Sequence, residues 1–296
     1  MVLGIQRAEE STILEMGINN ARDSTEIFLF GLPHILVNGD EIHLKRRKSL
    51  ALIAYLAVSR HFQSREHLAN LLWSQLSDKR AFQGLRNLLL DIRSTPIADL
   101  LYTEGDQITL DRSLPTDVEQ FDAQVKHIRQ QQAQGRALSL EQVAALEAEV
   151  QFYDTGFLSD FRVNASREFD DWQFFHAQHY EEGFLSLLKA LVVAYSERRM
   201  LDCAYDAIQR WLAIDPLAEQ AHCRLMRLYV QSGDPDQALH QYHTYIRSLE
   251  RQDELSATGE AQRFYTQILH HAPDISDERD GVQRNEGETE GTDRGV

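Results

Sequence analysis

The chain contains very little cysteine. Its 296 residues include two, Cys203 and Cys223, which is too few for a disulfide framework or for a cysteine-based metal pattern. Proteins that fold without disulfides are typical of the reducing cytosol. We therefore expect neither a disulfide-stapled secreted domain nor a metal site built on cysteines.

Long apolar segments are also missing. The first 25 residues mix charged side chains with short apolar runs, and they lack the hydrophobic core of a signal peptide. The most apolar run, residues 184–195, is too short to span a bilayer and contains Lys189. These absences predict a soluble, cytoplasmic protein with no membrane partner.

Motifs of common enzymes are absent as well. The sequence has no phosphate-binding G-x-x-x-x-G-K-[ST] loop and no G-x-S-x-G nucleophile elbow. Two histidine pairs, His176 with His179 and His240 with His243, have i, i+3 spacing, but no cysteine or carboxylate set converges with either pair. Histidines are common on the helices of helical repeats. We therefore favour ordinary histidines without a metal over a metal site. We predict no catalytic residue, no cofactor and no metal, and hence no enzyme.

The charge of the chain is acidic overall but unevenly distributed. The formal net charge is −16, which argues against a protein that binds nucleic acid over its whole surface. Residues 43–93, however, hold ten basic and three acidic side chains. A local basic surface on an acidic protein can hold a phosphate backbone while the remainder avoids unspecific binding. Residues 43–93 are therefore a candidate contact for a polyanion.

Residues 77–94 have the pattern of one amphipathic helix. Its apolar stripe recurs at three- and four-residue steps and consists of Phe82, Leu85, Leu89 and Ile92. Ser77 is a suitable N-cap, because its hydroxyl can accept a hydrogen bond from a backbone N–H without a helical partner. Polar side chains occupy the other side and its flanks: Lys79, Arg80, Gln83, Arg86, Asn87 and Arg93. Such a face suits readout of a DNA groove, and it is equally typical of a solvated helix.

The preceding residues predict a small sheet and two helices. Residues 26–32 read as a strand, and Asn38-Gly39 predicts the tight turn of a β-hairpin, since both residues accept positive φ. A helix at 45–59 begins with four basic residues, which are either solvated or in contact with a polyanion. Its apolar stripe is predicted to be Leu50, Ile53, Ala54, Ala57 and Val58. A second helix at 64–73 has Ser64 as its N-cap.

The following residues predict a second hairpin and then a helical region. Two β-rich segments are joined by Glu104-Gly105-Asp106, so three helices and a wing together form a winged helix-turn-helix. An aromatic-rich helix is predicted at 168–180, and four of its side chains are expected to pack rather than to bind a ligand: Phe169, Trp172, Phe175 and Tyr180.

A sequence repeat marks the end of the helical region. A shift of 34 residues aligns Leu191 with Leu225 and Ala204 with Ala238, and 34 residues is the tetratricopeptide period. The same shift aligns further pairs: Tyr195 with Tyr229, Ile208 with Tyr242, and Leu212 with Ile246. Two such units need neighbouring helices to complete the stack. The repeat either forms a surface for protein contacts or only supports the rest of the chain.

Residues 26–112 resemble the DNA-binding domain of the Streptomyces antibiotic regulatory protein family, which is related to the winged helices of response regulators. The matching segments are FLFGLPHILVNGDEIHL, KRRKSLALIAYLAV, SREHLANLLW and LRNLLLDIR, followed by the wing. The residues after them resemble the second half of that family, the bacterial transcriptional activator domain, so the resemblance covers residues 26–270. It implies a transcriptional regulator that binds direct repeats near promoters as a dimer or pair of protomers and recruits RNA polymerase.

The expected fold is mainly α with a small β component: a winged helix-turn-helix of the response-regulator type, then a tetratricopeptide-like helical domain. We expect a flexible leader at 1–25, the winged-helix domain at 26–114, the activator domain at 115–272 and a disordered acidic tail at 273–296. Relatives with this pair of domains often continue into an ATPase or sensor modules, so the chain is either a compact regulator or a shortened form.

The predicted DNA contacts lie in the basic segment and on the 77–94 helix. Gln83 and Asn87 are the best candidates for base edges, and Arg80 shares their face. Phosphate contacts are predicted for Lys79, Arg86 and Arg93, which otherwise form local salt bridges, and for Lys45, Arg46, Arg47 and Lys48.

An alternative is a signalling or scaffold protein whose winged helix no longer reads DNA. Three departures from the family pattern favour it. Asp91 and Ser94 stand late in the 77–94 helix where basic residues are common, and Leu90 occupies a position that should face DNA. The wing tip carries Glu104 and Asp106, and carboxylates repel phosphates.

Overall fold

The computed structural model describes residues 25–153, 155–251 and 259–271. It is mainly helical with two small antiparallel sheets, as the sequence predicts. The described residues divide into two compact units between Ala194 and Tyr195. The predicted disordered tail and the predicted leader, except for Thr25, lie outside the described residues.

The first sheet consists of β1 (Thr25–Phe28), β2 (His34–Val37) and β3 (Asp40–Glu41) in sequential order. Asn38 and Gly39 form the two-residue turn with φ values of 57° and 86°, and Val37 pairs with Asp40 across it. Positive φ at both positions is the requirement of a tight hairpin turn, so the predicted hairpin is confirmed.

Three helices follow: α1 (Arg47–Ser59), α2 (Arg65–Trp73) and α3 (Asp78–Arg93). All seven residues from Ala51 to Ala57 in α1 are buried, whereas Leu50 and Val58 are only partly buried. The predicted one-sided stripe is therefore wrong, because α1 is covered on every side, as a helix that is hydrophobic all round should be. Ser64 caps α2 as predicted, and its hydroxyl accepts from the His67 N–H at 3.1 Å.

The second sheet forms the wing. β5 (Leu101–Glu104) and β6 (Gln107–Leu110) make the predicted hairpin. A short strand, β4 (Gln63–Ser64), pairs with β6 and was not predicted. A strand of two residues is too short to show the alternation of apolar and polar residues that predicts a strand. β4 can therefore be recognised only from its pairing with β6.

The helices α4 (Asp117–Ala133), α5 (Leu140–Tyr153) and α6 (Arg167–Glu197) belong to the first unit with the winged helix, apart from the last residues of α6. Phe30, which follows β1, packs against Phe121, Tyr153 and Tyr180, with ring centroids 4.7 to 5.4 Å apart. A carboxylate oxygen of Asp117 accepts the backbone N–H groups of Leu29 and Phe30, both at 2.8 Å. These contacts join the β1 end of the winged helix to the helices that follow it.

The aromatic residues of α6 do not all pack. Phe169 and Tyr180 are buried, as predicted, but Phe175 is 68% exposed and its neighbour Phe174 is 59% exposed. The prediction of packing is wrong for Phe175, because a residue six positions after Phe169 points about 120° away from it around a helix of 3.6 residues per turn.

The second unit contains α7 (Leu201–Ile214), α8 (Glu219–Gln231), α9 (Pro235–Glu250) and α10 (Gly259–His271). The repeat positions Ala204 and Ala238 are fully buried, which is consistent with small residues at close helix contacts. Asp234 caps α9 by accepting from the Gln237 N–H at 3.1 Å, directly before Pro235. Consecutive helices of this unit contact one another, as the predicted tetratricopeptide-like architecture requires. None of the described helices is long and apolar enough to cross a membrane.

Candidate nucleic-acid interface

The buried side of α3 differs from the predicted stripe. Leu85, Leu89 and Ile92 are buried as predicted, but Phe82 is 42% exposed and Leu88 takes its place in the core. Ser77 is the N-cap as predicted, yet its hydroxyl makes no capping hydrogen bond. Its carbonyl oxygen instead accepts the N–H groups of Arg80 and Ala81.

Asp91 is buried, which removes it from the outward face of α3. Its carboxylate accepts a hydrogen bond from the Ser49 hydroxyl at 2.6 Å, and Ser49 lies in the first turn of α1. An anion near a helix N-terminus is favoured by the helix dipole. Asp91 does depart from the basic family pattern, but its buried carboxylate adds no negative charge to the outward face of α3.

The outward face of α3 is mostly basic and amide. Five predicted DNA contacts are exposed there and a sixth, Asn87, is partly exposed: Lys79, Arg80, Gln83, Arg86, Arg93 and Asn87. The Gln83 amide donates to the Asn87 side-chain oxygen at 3.1 Å. These two amides thus lie side by side on one turn of the helix. Leu90 is 57% exposed on the same helix, as predicted.

One flank of α3 borders a basic cleft of about 520 Å³, which we call the Arg162 cleft. It is lined by Arg46, Arg47, Lys48, Trp73, Gly84, Asn87, Leu88, Arg162, Val163 and Asn164. Four of these residues are basic and none is acidic. The cleft brings the start of α1, α3 and the segment before α6 to one place.

Two of the predicted basic contacts in this cleft are engaged within the fold. The Lys48 ammonium donates to the Leu72 carbonyl and lies 4.7 Å from the centroid of the Trp73 ring. Burial lowers the pKa of Lys48 to about 8, and Asp170 offsets part of that effect. The Arg47 guanidinium lies 5.1 Å from the Phe161 ring centroid and donates to the Asp160 carbonyl at 3.5 Å. Lys48 is thus a poor phosphate ligand, whereas Lys45 and Arg46 remain exposed.

The other flank of α3 borders a second basic cleft of about 450 Å³, which we call the Arg65 cleft. It is lined by Arg65, Phe82, Leu85, Arg86, Leu89, Leu90 and Arg93. Three of these residues are basic and none is acidic. Arg65 lies 3.8 Å from the Asp106 carboxylate of the wing, so the acidic wing tip reaches the edge of this cleft.

Two arginines of these clefts were not among the predicted contacts. Arg65 belongs to the basic segment at 43–93, so its charge was a usable signal, but its place beside α3 depends on the packing of α2. Arg162 lies far from that segment in sequence. No sequence pattern connects it to α3, because the connection is made only by the folded chain.

Among the described residues, no group of three or more histidine, cysteine or acidic side chains is arranged so that it could hold a metal ion. His179 lies 3.3 Å from the Asp122 carboxylate. Burial lowers the pKa of His176, and the neighbouring His179 lowers it further, while Asp122 partly offsets both effects.

Comparisons with known proteins identify the helical region. The sequence model of the bacterial transcriptional activator domain matches residues 116–269. No curated protein is matched by the sequence. The predicted resemblance of the helical region to that domain is therefore confirmed, and the matched range begins next to residue 115, where the domain is expected to start.

A solved structure shares the fold. The chain is similar to Mycobacterium tuberculosis EmbR in complex with a low-affinity phosphopeptide, with a TM-score of 0.67 and 16% sequence identity. The similarity covers 84% of this chain and 66% of the EmbR chain. It confirms the fold class, a winged helix followed by a helical activator domain.

Proposed function

Since this chain belongs to the bacterial transcriptional activator domain family, we propose that it is a DNA-binding regulator of transcription that reads promoter DNA with α3. The family consists of transcriptional activators, so activation is the favoured direction of regulation. Such a regulator acts in the cytoplasm.

The observation that carries this proposal is the charge around α3. Basic clefts border both of its flanks, and no acidic residue lines either one. A helix in the major groove has a phosphate backbone on each side of it. Arginines on both flanks are therefore where a groove-binding helix needs them. The burial of Asp91 removes the carboxylate that would oppose this arrangement.

The proposed base contacts are Gln83 and Asn87, with Arg80 beside them. Gln and Asn side chains can each make two hydrogen bonds to an adenine edge. Their mutual hydrogen bond would be exchanged for bonds to bases. Phosphate contacts are proposed for Lys45, Arg46, Arg47, Lys79, Arg86 and Arg93, and for Arg65 on the second flank.

The activator domain suggests partners other than DNA. We propose that the helical region contacts RNA polymerase and a second copy of the chain, so that two winged helices occupy direct repeats. Exposed Phe174 and Phe175 on α6 are a suitable element for such contacts, because aromatic side chains are enriched in protein interfaces.

The test is DNA binding of the full chain at two salt concentrations against a broad pool of duplex fragments. Wild type should bind, and more weakly as salt rises, because phosphate contacts release counterions. Gln83→Ala/Asn87→Ala should weaken binding to the best fragments by about 1–3 kcal/mol for each base that is no longer read. The matched control is Gln130→Ala/Gln134→Ala, an exposed amide pair of the same spacing beyond the interface, which should bind like wild type.

A second candidate function is a scaffold protein that acts through protein contacts alone. It is favoured by the exposed carboxylates of Glu104 and Asp106 at the wing tip and by exposed Leu90. The same experiment separates the two candidates: a wild-type chain without salt-sensitive binding to any fragment would exclude the regulator and favour the scaffold.

A further inference from the structure

We infer that Arg162, which lies outside the winged helix, holds a phosphate of the DNA bound by α3. Arg162 belongs to the connector, residues 155–166, which precedes α6 and falls within the activator domain. The inference rests on the proposed function and extends the DNA-binding surface from the winged helix to the activator domain.

Buried residues of the connector hold it against the winged helix, and the residues between them are exposed. Phe161, Val163 and Ser166 are buried, whereas Arg162 and Asn164 between them are exposed. The Ser166 hydroxyl donates to the Leu72 carbonyl at 2.7 Å. That carbonyl belongs to the last turn of α2, where helical partners are lacking. The buried residues therefore hold the connector in place and leave Arg162 directed outward.

A second set of contacts fixes the connector from the α1 side. The Arg47 guanidinium covers the Phe161 ring at 5.1 Å from its centroid and donates to the Asp160 carbonyl. Arg47 is thus held by the connector, and the connector is held by α1. Pre-positioned cations lose less conformational entropy when they bind an anion than free surface side chains do.

Arg162 and Asn87 of α3 both line the Arg162 cleft. No carboxylate lies within ion-pair distance of Arg162 among the described residues. Asp170 acts electrostatically on Lys48 in this cleft and not, by any ion pair, on Arg162. The Arg162 guanidinium is exposed and has no carboxylate partner. Its planar N–H donors match the oxygens of a phosphate, so it is suited to bind the DNA backbone beside α3.

The test measures how the affinity of the full chain for random-sequence duplex DNA changes with NaCl concentration. Each phosphate contact that is removed lowers the slope of log K against log [NaCl] by about 0.9. For Arg162→Ala, the affinity ratio of wild type to variant should therefore fall about 3.5-fold between about 50 mM and about 200 mM NaCl. Arg162→Lys should keep most of the slope, because it keeps the charge.

The matched control is Arg136→Ala, which removes an exposed arginine from the loop after α4. It corrects for the change in net charge and should leave the slope close to that of wild type. Thermal unfolding of the variants should match wild type, since Arg162 is exposed and its neighbours anchor the connector.

Two results would overturn the inference in distinguishable ways. If Arg162→Ala keeps the slope of Arg136→Ala while Gln83→Ala/Asn87→Ala weakens binding to preferred fragments, the DNA surface ends at the winged helix and only the inference is wrong. If wild type shows no salt-sensitive binding, the proposed function is wrong and the inference is wrong with it.

Discussion

Asp91 shows how one buried side chain changes the surface chemistry of a helix. In the sequence it stands between the exposed Leu90 and the buried Ile92, so the helical pattern leaves it at the edge of the apolar stripe. In the structure it faces α1 and accepts the Ser49 hydroxyl. The remaining charged residues on the outward face of α3 beyond its first residue are all basic. The main electrostatic objection to DNA contact therefore disappears at α3 and persists only at the wing tip.

The Ser49–Asp91 hydrogen bond yields a prediction about stability. Asp91→Ala would leave the buried Ser49 hydroxyl without its acceptor, which typically costs about 1–3 kcal/mol. We expect a lower midpoint in urea unfolding followed by tryptophan fluorescence. Leu90→Ala is the neighbouring control: its side chain is exposed, and its effect should stay within about 0.5 kcal/mol. Equal midpoints for the two variants would mean that the hydrogen bond contributes nothing.

The orientation of α3 depends on its close approach to α2. A Cβ atom added at Gly84 would lie 2.6 Å from a ring carbon of Trp73. The Trp73 ring has little freedom to move away, because the Lys48 ammonium lies against it. Only glycine permits this close approach of α3 to Trp73. Gly84 weakens α3 as an isolated helix, but it allows α3 to pack against α2.

Gly84→Ala should therefore destabilise the protein, although alanine favours a helix by about 1 kcal/mol over glycine. Overpacking typically costs about 1–3 kcal/mol, so we expect a net loss in urea unfolding. The clash atoms belong to the six-membered ring of Trp73, and Trp73→Phe removes part of that ring system. In the Trp73→Phe background the cost of Gly84→Ala should be smaller. If both backgrounds give the same cost, the close approach to Trp73 is not the cause.

Local rules predicted most of the elements that surround α3. The Asn38-Gly39 turn and the Ser64 cap each depend on residues within a few positions of one another, and both are found. The failures have a different origin. The exposure of Phe82 and the burial of every residue from Ala51 to Ala57 in α1 depend on which other elements lie alongside, and a single helical period does not contain that information.

The candidate site, like the fold, was predictable where it depends on local sequence patterns. The basic segment at 43–93 and the outward face of α3 follow from charge and periodicity. The positions of Lys48 and Arg162 do not follow from charge and periodicity. Lys48 is turned inward by its contacts with Leu72 and Trp73. Arg162 is brought close to α3 by contacts between residues far apart in sequence, such as Ser166 with Leu72. Long-range packing decided both cases.

The same long-range contacts determine how the molecule divides. The sequence predicts a boundary between residues 114 and 115, but the first compact unit continues to Ala194. Asp117 explains part of this difference: it is buried and holds the N–H groups of Leu29 and Phe30. Burial raises the pKa of Asp117, and these hydrogen bonds offset part of that rise. Tyr55 of α1 also packs against Trp172 of α6, with centroids 5.1 Å apart.

We therefore expect a fragment of residues 1–114 to be much less stable than a fragment of residues 1–197. The shorter fragment lacks the partners of Phe30 and Tyr55, and each large apolar side chain that becomes exposed costs about 1.5–3 kcal/mol. Since a whole domain is stable by only about 5–15 kcal/mol, a few such exposures approach the total. Circular dichroism melting should show a cooperative transition for 1–197 and a lower or non-cooperative one for 1–114. Equal melting temperatures would mean that the winged helix folds independently, and the contacts across residue 114 would then serve only to orient it.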